Sequence, residues 1–339
     1  MINRINRAIG WLLKRIGSTI LKGQSIMNIS LPVFIFDKRS MLQVYAYVLR
    51  LAPLYFEKAF YTKDPLERLK CITTFFLTQL HIACIQSKPF SPIIGETYQA
   101  KIGNFNLYLE QTVSKPLTAN IYGFDDQRRY KYSGYIQATA STGANSVKGI
   151  RTGNIQIEFS DGTLYKVYFP MVIVKGTTMG AKTFNYKHNL AIADVYNNYC
   201  SVVTFNPDEK GFFSGFFSSK KTFPDMFIGQ IVKYSDVKID NNYPIHEVQK
   251  NAHCYCKISG HWTQNICFDK KEYWKQGQYD LLPMMRMENT LLSDSWNRDD
   301  LRDFIKGDEE NAQKNKEKLE EIQRGDRKLR EKYKLENNI

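Results

Sequence analysis

Lys88 opens the run Lys88-Pro-Phe-Ser-Pro-Ile-Ile-Gly-Glu-Thr-Tyr98. Two prolines fix an extended entry and Gly95 opens a turn, so Lys88 is held on a rigid loop beside the start of a strand. Glu110-Gln111 follows about one strand later. The chain as a whole carries a net charge of +13. Such a balance suggests a polyanionic partner: nucleic acid, an anionic membrane or a phosphorylated ligand.

Other chemistries find little support. The five histidines (His81, His188, His246, His253, His261) lie in no nucleophile motif, and no Gly-x-Ser-x-Gly elbow occurs. Walker and dinucleotide glycine loops are absent as well. The chain therefore reads as non-enzymatic, with no cofactor. His253-Cys-Tyr-Cys256, with His261 and Cys267 nearby, could suggest zinc. On a strand, however, Cys254 and Cys256 share a face with Ala252 and Ile258 while His253 points the other way, and the usual two-residue gap between cysteines is missing. Buried thiols are expected there, and no metal. The six cysteines, without a secretory signal, read as reduced cytosolic thiols. Basic residues are scattered and carry no nucleic-acid recognition signature, so nucleic acid ranks low as a partner.

Hydrophobic residues make up 43% and aromatics 14%, ample for a sizeable core. The 339 residues allow two domains or one large β-rich domain. No apolar run approaches the ~20 residues that span a bilayer. Residues 1–23 place Ile2, Ile5, Ile9, Leu12, Leu13, Ile16 and Ile20 at helical spacing among five basic and no acidic residues. This is a cationic amphipathic helix that packs on the protein body, lies on an anionic membrane, or serves as a mitochondrial presequence. After a linker from Gly23 to Pro32, Leu31 to Phe36 reads as a strand or extended segment. One helix is expected over about 40–60, with Pro53 as a kink or break. A second begins at Asp64 (cap), Pro65 and Glu67. From Tyr98 to about Trp262, short alternating strands predict an antiparallel meander, curled or closed as a barrel, with the clearest hairpin at Asp161-Gly162. From Asn297 onward the pattern is helical, with twelve basic and twelve acidic residues over 298–336. Leu319, Ile322, Leu329 and Tyr333 form a narrow apolar stripe there, read as one side of a solvated helix.

Three separated segments resemble the signature of the oxysterol-binding-protein-related lipid-transfer family. The first is Lys88 to Tyr98. The second is Glu110-Gln-Thr-Val-Ser-Lys-Pro-Leu117, where Ser114 and Lys115 occupy the positions of the family's histidine pair. The third joins Ser293-Asp-Ser-Trp-Asn-Arg-Asp-Asp-Leu301 to a helix in which Lys316, Glu320 and Arg324 match a terminal motif at i, i+4 and i+8. By themselves those three residues form a surface ion-pair ladder worth a few tenths of a kcal/mol per pair. Trp11-Leu-Leu-Lys-Arg-Ile-Gly-Ser-Thr-Ile20 is similar to the amphipathic lid of short family members.

The resemblance implies an α+β fold: an incomplete antiparallel β-barrel around a hydrophobic tunnel, with an N-terminal amphipathic lid and flanking helices. It divides the chain into a lid over 1–30, a body over 31–297 and a charged helical segment over 298–339, forming one domain overall. It implies a carrier of a sterol or phospholipid, with a phosphatidylinositol phosphate competing for the same volume. The protein would be cytoplasmic and peripheral to anionic membranes. Lys88, Lys316, Glu320 and Arg324 match the headgroup site. Ser91, Ser114 and Lys115 stand there in place of an asparagine and two histidines, and Trp296 replaces an arginine of the late segment. Gln79 and Leu80 mark the tunnel floor, and Trp11, Leu12, Leu13, Ile16 and Ile20 belong to the lid. The alternative is a structural or adaptor protein that keeps the barrel with a filled or repurposed tunnel.

Overall fold

A computed structural model describes residues 30–84, 87–143, 145–177, 180–206, 225–241 and 245–337. The lid residues Trp11, Leu12, Leu13, Ile16 and Ile20 lie outside these. The described chain forms two compact units, entered and left at Val44/Tyr45, Cys84/Ile85, Tyr98/Gln99 and Glu288/Asn289. The first unit gathers the residues up to Val44, Ile85–Tyr98 and the chain from Asn289. The second holds Tyr45–Cys84 and Gln99–Glu288.

In the first unit, strand β1 (Phe36–Ser40) pairs in parallel with β2 (Lys88–Phe90). The segment before β1 departs from the expected strand, because Val33–Ile35 is a 3-10 turn. Val33 gives its N–H to the Gln313 side chain at 2.9 Å, so no strand ladder forms until Phe36 meets Lys88. Two C-terminal helices complete the unit, α4 (Asp299–Lys306) and α5 (Glu309–Glu336). Gly307 separates them at φ 90, a left-handed helix end that favours glycine. Asp308 then caps α5 by accepting from the Asn311 N–H. Val33, Phe36, Phe90, Leu301, Phe304 and Ala312 form the core of this unit.

Where one helix was expected near 40–60 there are three pieces. Helix α1 (Met41–Tyr47), which begins in the first unit, gives way to a 3-10 turn over Val48–Leu51, and α2 (Ala52–Tyr61) follows. Pro53 sits in the first turn of α2, where its missing N–H costs nothing; further inside a continuous helix it would break the ladder. Helix α3 (Pro65–Ile82) starts where the capping signal places it, with the Asp64 carboxylate accepting from the Glu67 N–H.

Among the described residues, seventeen strands follow in chain order. β3 (Thr97–Ile102), β4 (Phe105–Ser114), β5 (Leu117–Asp125), β6 (Tyr130–Gly143), β7 (Ser146–Phe159) and β8 (Leu164–Tyr168) come first. Next are β9 (Met171–Lys175), β10 (Thr183–Lys187), β11 (Asn189–Asp194), β12 (Tyr199–Phe205) and β13 (Met226–Lys233). β14 (Val237–Ile239), β15 (His246–Val248), β16 (Cys256–His261), β17 (Asn265–Phe268), β18 (Lys271–Lys275) and β19 (Met284–Arg286) complete the series. Fifteen of them make one sheet, whose main path runs β18-β17-β16-β13-β12-β11-β8-β7-β6-β5-β4-β3-β19. The two outermost strands do not pair with each other, so hydrogen bonding leaves the sheet open. The hairpin at Asp161-Gly162 forms as the sequence predicts, pairing Ile155 with Val167 and Glu158 with Leu164. Inside the second unit Phe56 of α2 lies 4.7 Å from Phe75 and 5.5 Å from Tyr130, ring centre to ring centre, so helix and sheet share an aromatic core.

His246 on β15 carries a buried cost. Its ring stands edge-on to Tyr168, and both nitrogens are buried without a hydrogen-bond partner among the described residues. Burial lowers its pKa from 6.5 to about 4, against a smaller upward pull from Asp240. The folded chain thus favours the neutral ring. Its contribution is complete above about pH 6.5 and is lost as pH falls towards about 4. The loss amounts to up to about 3 kcal/mol. His246→Leu is expected to lose less stability than the parent between neutral pH and pH ~4.5, read from urea midpoints. Equal acid losses in the two proteins would remove His246 as a cause.

Candidate functional site: two lysines on one phenylalanine

The first unit brings cations together through its short parallel pair. Register places Lys88 beside Phe36, and the Phe36 and Phe90 rings pack at 4.9 Å. Helix α5 is tied down by the Val33–Gln313 bond, and Lys316 follows one turn later on the side that meets the same ring. The Lys316 Nζ lies 5.0 Å from the Phe36 ring centre and the Lys88 Nζ 5.3 Å from it. Each ammonium gains from the ring's negative face, which eases the repulsion between them.

The two lysines differ in state. Lys316 is buried, and its three donors are used: by the Ser30 hydroxyl, the Leu31 carbonyl at 3.0 Å and the Glu320 carboxylate at 2.6 Å. Lys88 has no hydrogen-bond acceptor or carboxylate partner among the described residues. It reaches solvent, yet protein crowds its ammonium. Burial lowers its pKa, the charge of Lys316 lowers it further, and Glu320 partly offsets both. A cation held in this way gains most when an anion arrives. Arg324 lies one turn beyond Glu320 on the same face, half-buried, with no carboxylate partner among the described residues.

Lys88 opens strand β2 rather than lying on a loop, and the loop that follows the strand is fixed by a buried ionic clasp. Arg298 donates to the Glu96 carboxylate at 2.8 Å, to the Ser91 carbonyl at 2.8 Å and to both oxygens of Asp300 at 3.0 and 2.7 Å. Glu96 also accepts from the Ile93 N–H, which closes the turn, and from the Ser295 hydroxyl at 2.6 Å. Ser295 in turn bonds Ser40 at the end of β1. Burial works against the Arg298 charge, and Glu96 and Asp300 overcome it, so its pKa stays above the ordinary arginine value. Rigid placement of Lys88 is the product of this clasp.

Lys88, Lys316 and Glu320 thus converge in the first unit, with Arg324 next along the helix. Ser91 is exposed on the clasped loop. Ser114 and Lys115 belong to the second unit, where Ser114 ends β4 opposite Leu117 and Lys115 is exposed in the turn before β5. Gln79 and Leu80 are also in the second unit, buried on α3. The Gln79 Nε2 has no hydrogen-bond partner among the described residues, and the Leu80 carbonyl accepts from the Tyr186 hydroxyl at 2.9 Å. Trp296 packs 6.3 Å from Tyr98. Cys256 is buried, whereas Cys254 precedes β16 and is half-buried, and no group of three metal-ligating side chains occurs among the described residues. Sequence reasoning missed Phe36 and the clasp. Phe36 looked like one more apolar residue, while Glu96, Arg298 and Asp300 lie inside the matched segments without any local sign that they meet.

Comparison with known proteins agrees with this architecture. The oxysterol-binding protein family model matches residues 17–338. "Oxysterol-binding protein 9" of Dictyostelium discoideum is 31% identical over 333 residues, covering 95% of this chain and 76% of that protein. Among solved structures, the Osh3 ORD of Saccharomyces cerevisiae in complex with PI(4)P superposes with a TM-score of 0.69 at 19% identity, over 93% of this chain and 84% of that one. The Osh1 ORD domain in complex with ergosterol gives 0.66 at 17% identity, over 90% and 76% of the respective chains. At those identities the two structures establish a shared fold, an antiparallel sheet that stays open. The family match spans nearly the whole sequence, and the chain belongs to the oxysterol-binding protein family.

Proposed function

We propose that this protein is a non-enzymatic lipid carrier. It takes a sterol or phospholipid into a tunnel bounded by the sheet and exchanges it for a phosphatidylinositol phosphate. The observation that carries this reading is the unpaired, charge-strained Lys88 set beside Lys316 on Phe36, within a family whose solved relatives hold PI(4)P or ergosterol. The headgroup phosphate is held by Lys88, Lys316 and Arg324, with Glu320 orienting Lys316. Ser91 stands beside them on the clasped loop. In the second unit, Ser114 and Lys115 take the place of the family's histidine pair, where a lysine brings a cation instead of imidazole. Gln79, its amide buried and unpartnered, meets a polar group of the ligand, with Leu80 beside it. A lipid tail leaving water contributes ~0.8 kcal/mol per buried CH2, enough to extract it from a bilayer. No described helix is long and apolar enough to cross a membrane. In this reading the carrier works in the cytoplasm, peripheral to the membranes it serves.

Native mass spectrometry of protein incubated with mixed liposomes tests this directly. One sterol or one phospholipid per chain is expected, with the two never bound together. A chain that remains lipid-free against every liposome would overturn the carrier reading and favour an adaptor that has kept the fold.

A further inference from the structure

Helix α5 has a second half that the lipid site does not use. Its buried residues, Ala312 and Lys316, both lie in the first three turns. Further on, Ile322 is 51% exposed, Leu329 68% and Tyr333 60%. Charge is segregated along the same stretch. Residues 309–323 hold three cations and five carboxylates, and residues 324–336 hold six cations and three carboxylates. This order suits the helix dipole, acids early and bases late. It also leaves a cationic end.

At 3.6 residues per turn, Ile322, Leu329 and Tyr333 fall within a strip about 40° wide. Asp326 and Glu336 border it about 40° to either side of its centre, Arg330 and Lys332 follow at about 80°, and Lys334 and Lys328 at about 120°. Arg327 and Lys332 make only long ion pairs, to Glu331 at 3.7 Å and Glu336 at 3.6 Å. No carboxylate among the described residues engages Lys328, Arg330 or Lys334. An apolar strip with cations on both shoulders is the geometry of a helix lying in a headgroup plane, where long basic side chains reach outward to lipid phosphates.

We propose that residues 327–336 of α5, beyond the lipid-site Arg324, form a docking surface for an anionic bilayer. The inference goes beyond the lipid-carrier reading and stands without it. A second copy of the chain fits less well. Leu319, Ile322, Leu329 and Tyr333 have the spacing of a coiled-coil seam, but Asp326 and Glu336 fall in the same seam, where a packed dimer would bury their charges and a headgroup layer leaves them hydrated. Nucleic acid would use the cations but has no use for exposed Ile322 and Leu329 between them. A bilayer uses both. The cations gain from the anionic surface, and burial of Leu329 and Tyr333 adds to that.

The test uses the full chain and vesicles of phosphatidylcholine, with or without phosphatidylserine. Hydrogen exchange of the 327–336 amides is expected to slow with anionic vesicles and to stay unchanged with neutral ones. The variant Lys328→Glu/Arg330→Glu/Lys334→Glu, all at exposed positions and all helix-compatible, is expected to co-sediment at least about tenfold less well with anionic vesicles. Unchanged exchange in the parent, or undiminished sedimentation of the variant, overturns the proposal. So does protection that appears without vesicles at high protein concentration (a second copy), or tighter binding to an oligonucleotide than to the vesicles. Lipid uptake in native mass spectrometry is read separately, so either reading can fail while the other stands.

Discussion

Arg298→Gln is expected to destabilise the first unit by about 3–5 kcal/mol, the cost of leaving buried carboxylates without their cation. Glu96 and Asp300 are nearly inaccessible, at 2% and 0% exposure, and Arg298 supplies charge-assisted bonds to both. Removing the guanidinium also frees the Ser91 carbonyl, so the loop before Glu96 loses its anchor. The measurement is a urea denaturation curve followed by hydrogen exchange in residues 88–98 and 295–301. If desolvated charge is the cause, Glu96→Gln/Arg298→Met/Asp300→Asn should cost less than Arg298→Gln alone, because no unpaired ion remains. A midpoint equal to that of the parent after Arg298→Gln would show that the clasp holds nothing together.

Lys88→Ala is expected to weaken binding of a short-chain phosphatidylinositol 4-phosphate by roughly tenfold to a hundredfold, the usual worth of a hydrogen bond to a charged group. Sterol uptake should be preserved. Lys316→Ala is a less clean probe, since it also strands the Ser30, Leu31 and Glu320 acceptors. The sign of the pH dependence follows from the lowered pKa of Lys88. Phosphate needs the protonated amine, so affinity falls as pH rises through a value below that of an ordinary lysine. Lys88→Arg should remove that alkaline fall, because guanidinium stays charged. Isothermal titration across neutral to alkaline pH reads both effects. Headgroup affinity unaltered by Lys88→Ala would place the phosphate elsewhere.

Several features were legible because their causes are local. Asp64, Pro65 and Glu67 announce the start of α3 within four residues, and the Asp64 carboxylate accepts from Glu67 as the pattern requires. Asp161-Gly162 fixes its hairpin and hence the register of the two strands beside it. The helical spacing of Lys316, Glu320 and Arg324 puts them on one face wherever that helix lies, and the Lys316–Glu320 pair forms at 2.6 Å. Pro53 announces a break in the helical run but does not give its form, a 3-10 turn ahead of a fresh helix start.

Composition, helix caps, hairpins and the motif lysines are thus determined by the sequence itself, since dihedral preference and side-chain period act over a few residues. Tertiary structure alone decided that Lys316 is buried against Ser30 and Leu31, some 285 positions away, while Lys88 is left with only a ring for company. It also turned Glu96, Arg298 and Asp300 from surface-type residues into a buried clasp. Charge, burial and hydrogen-bond partners depend on which distant segments meet, and that is settled by packing of the whole core rather than by any local preference.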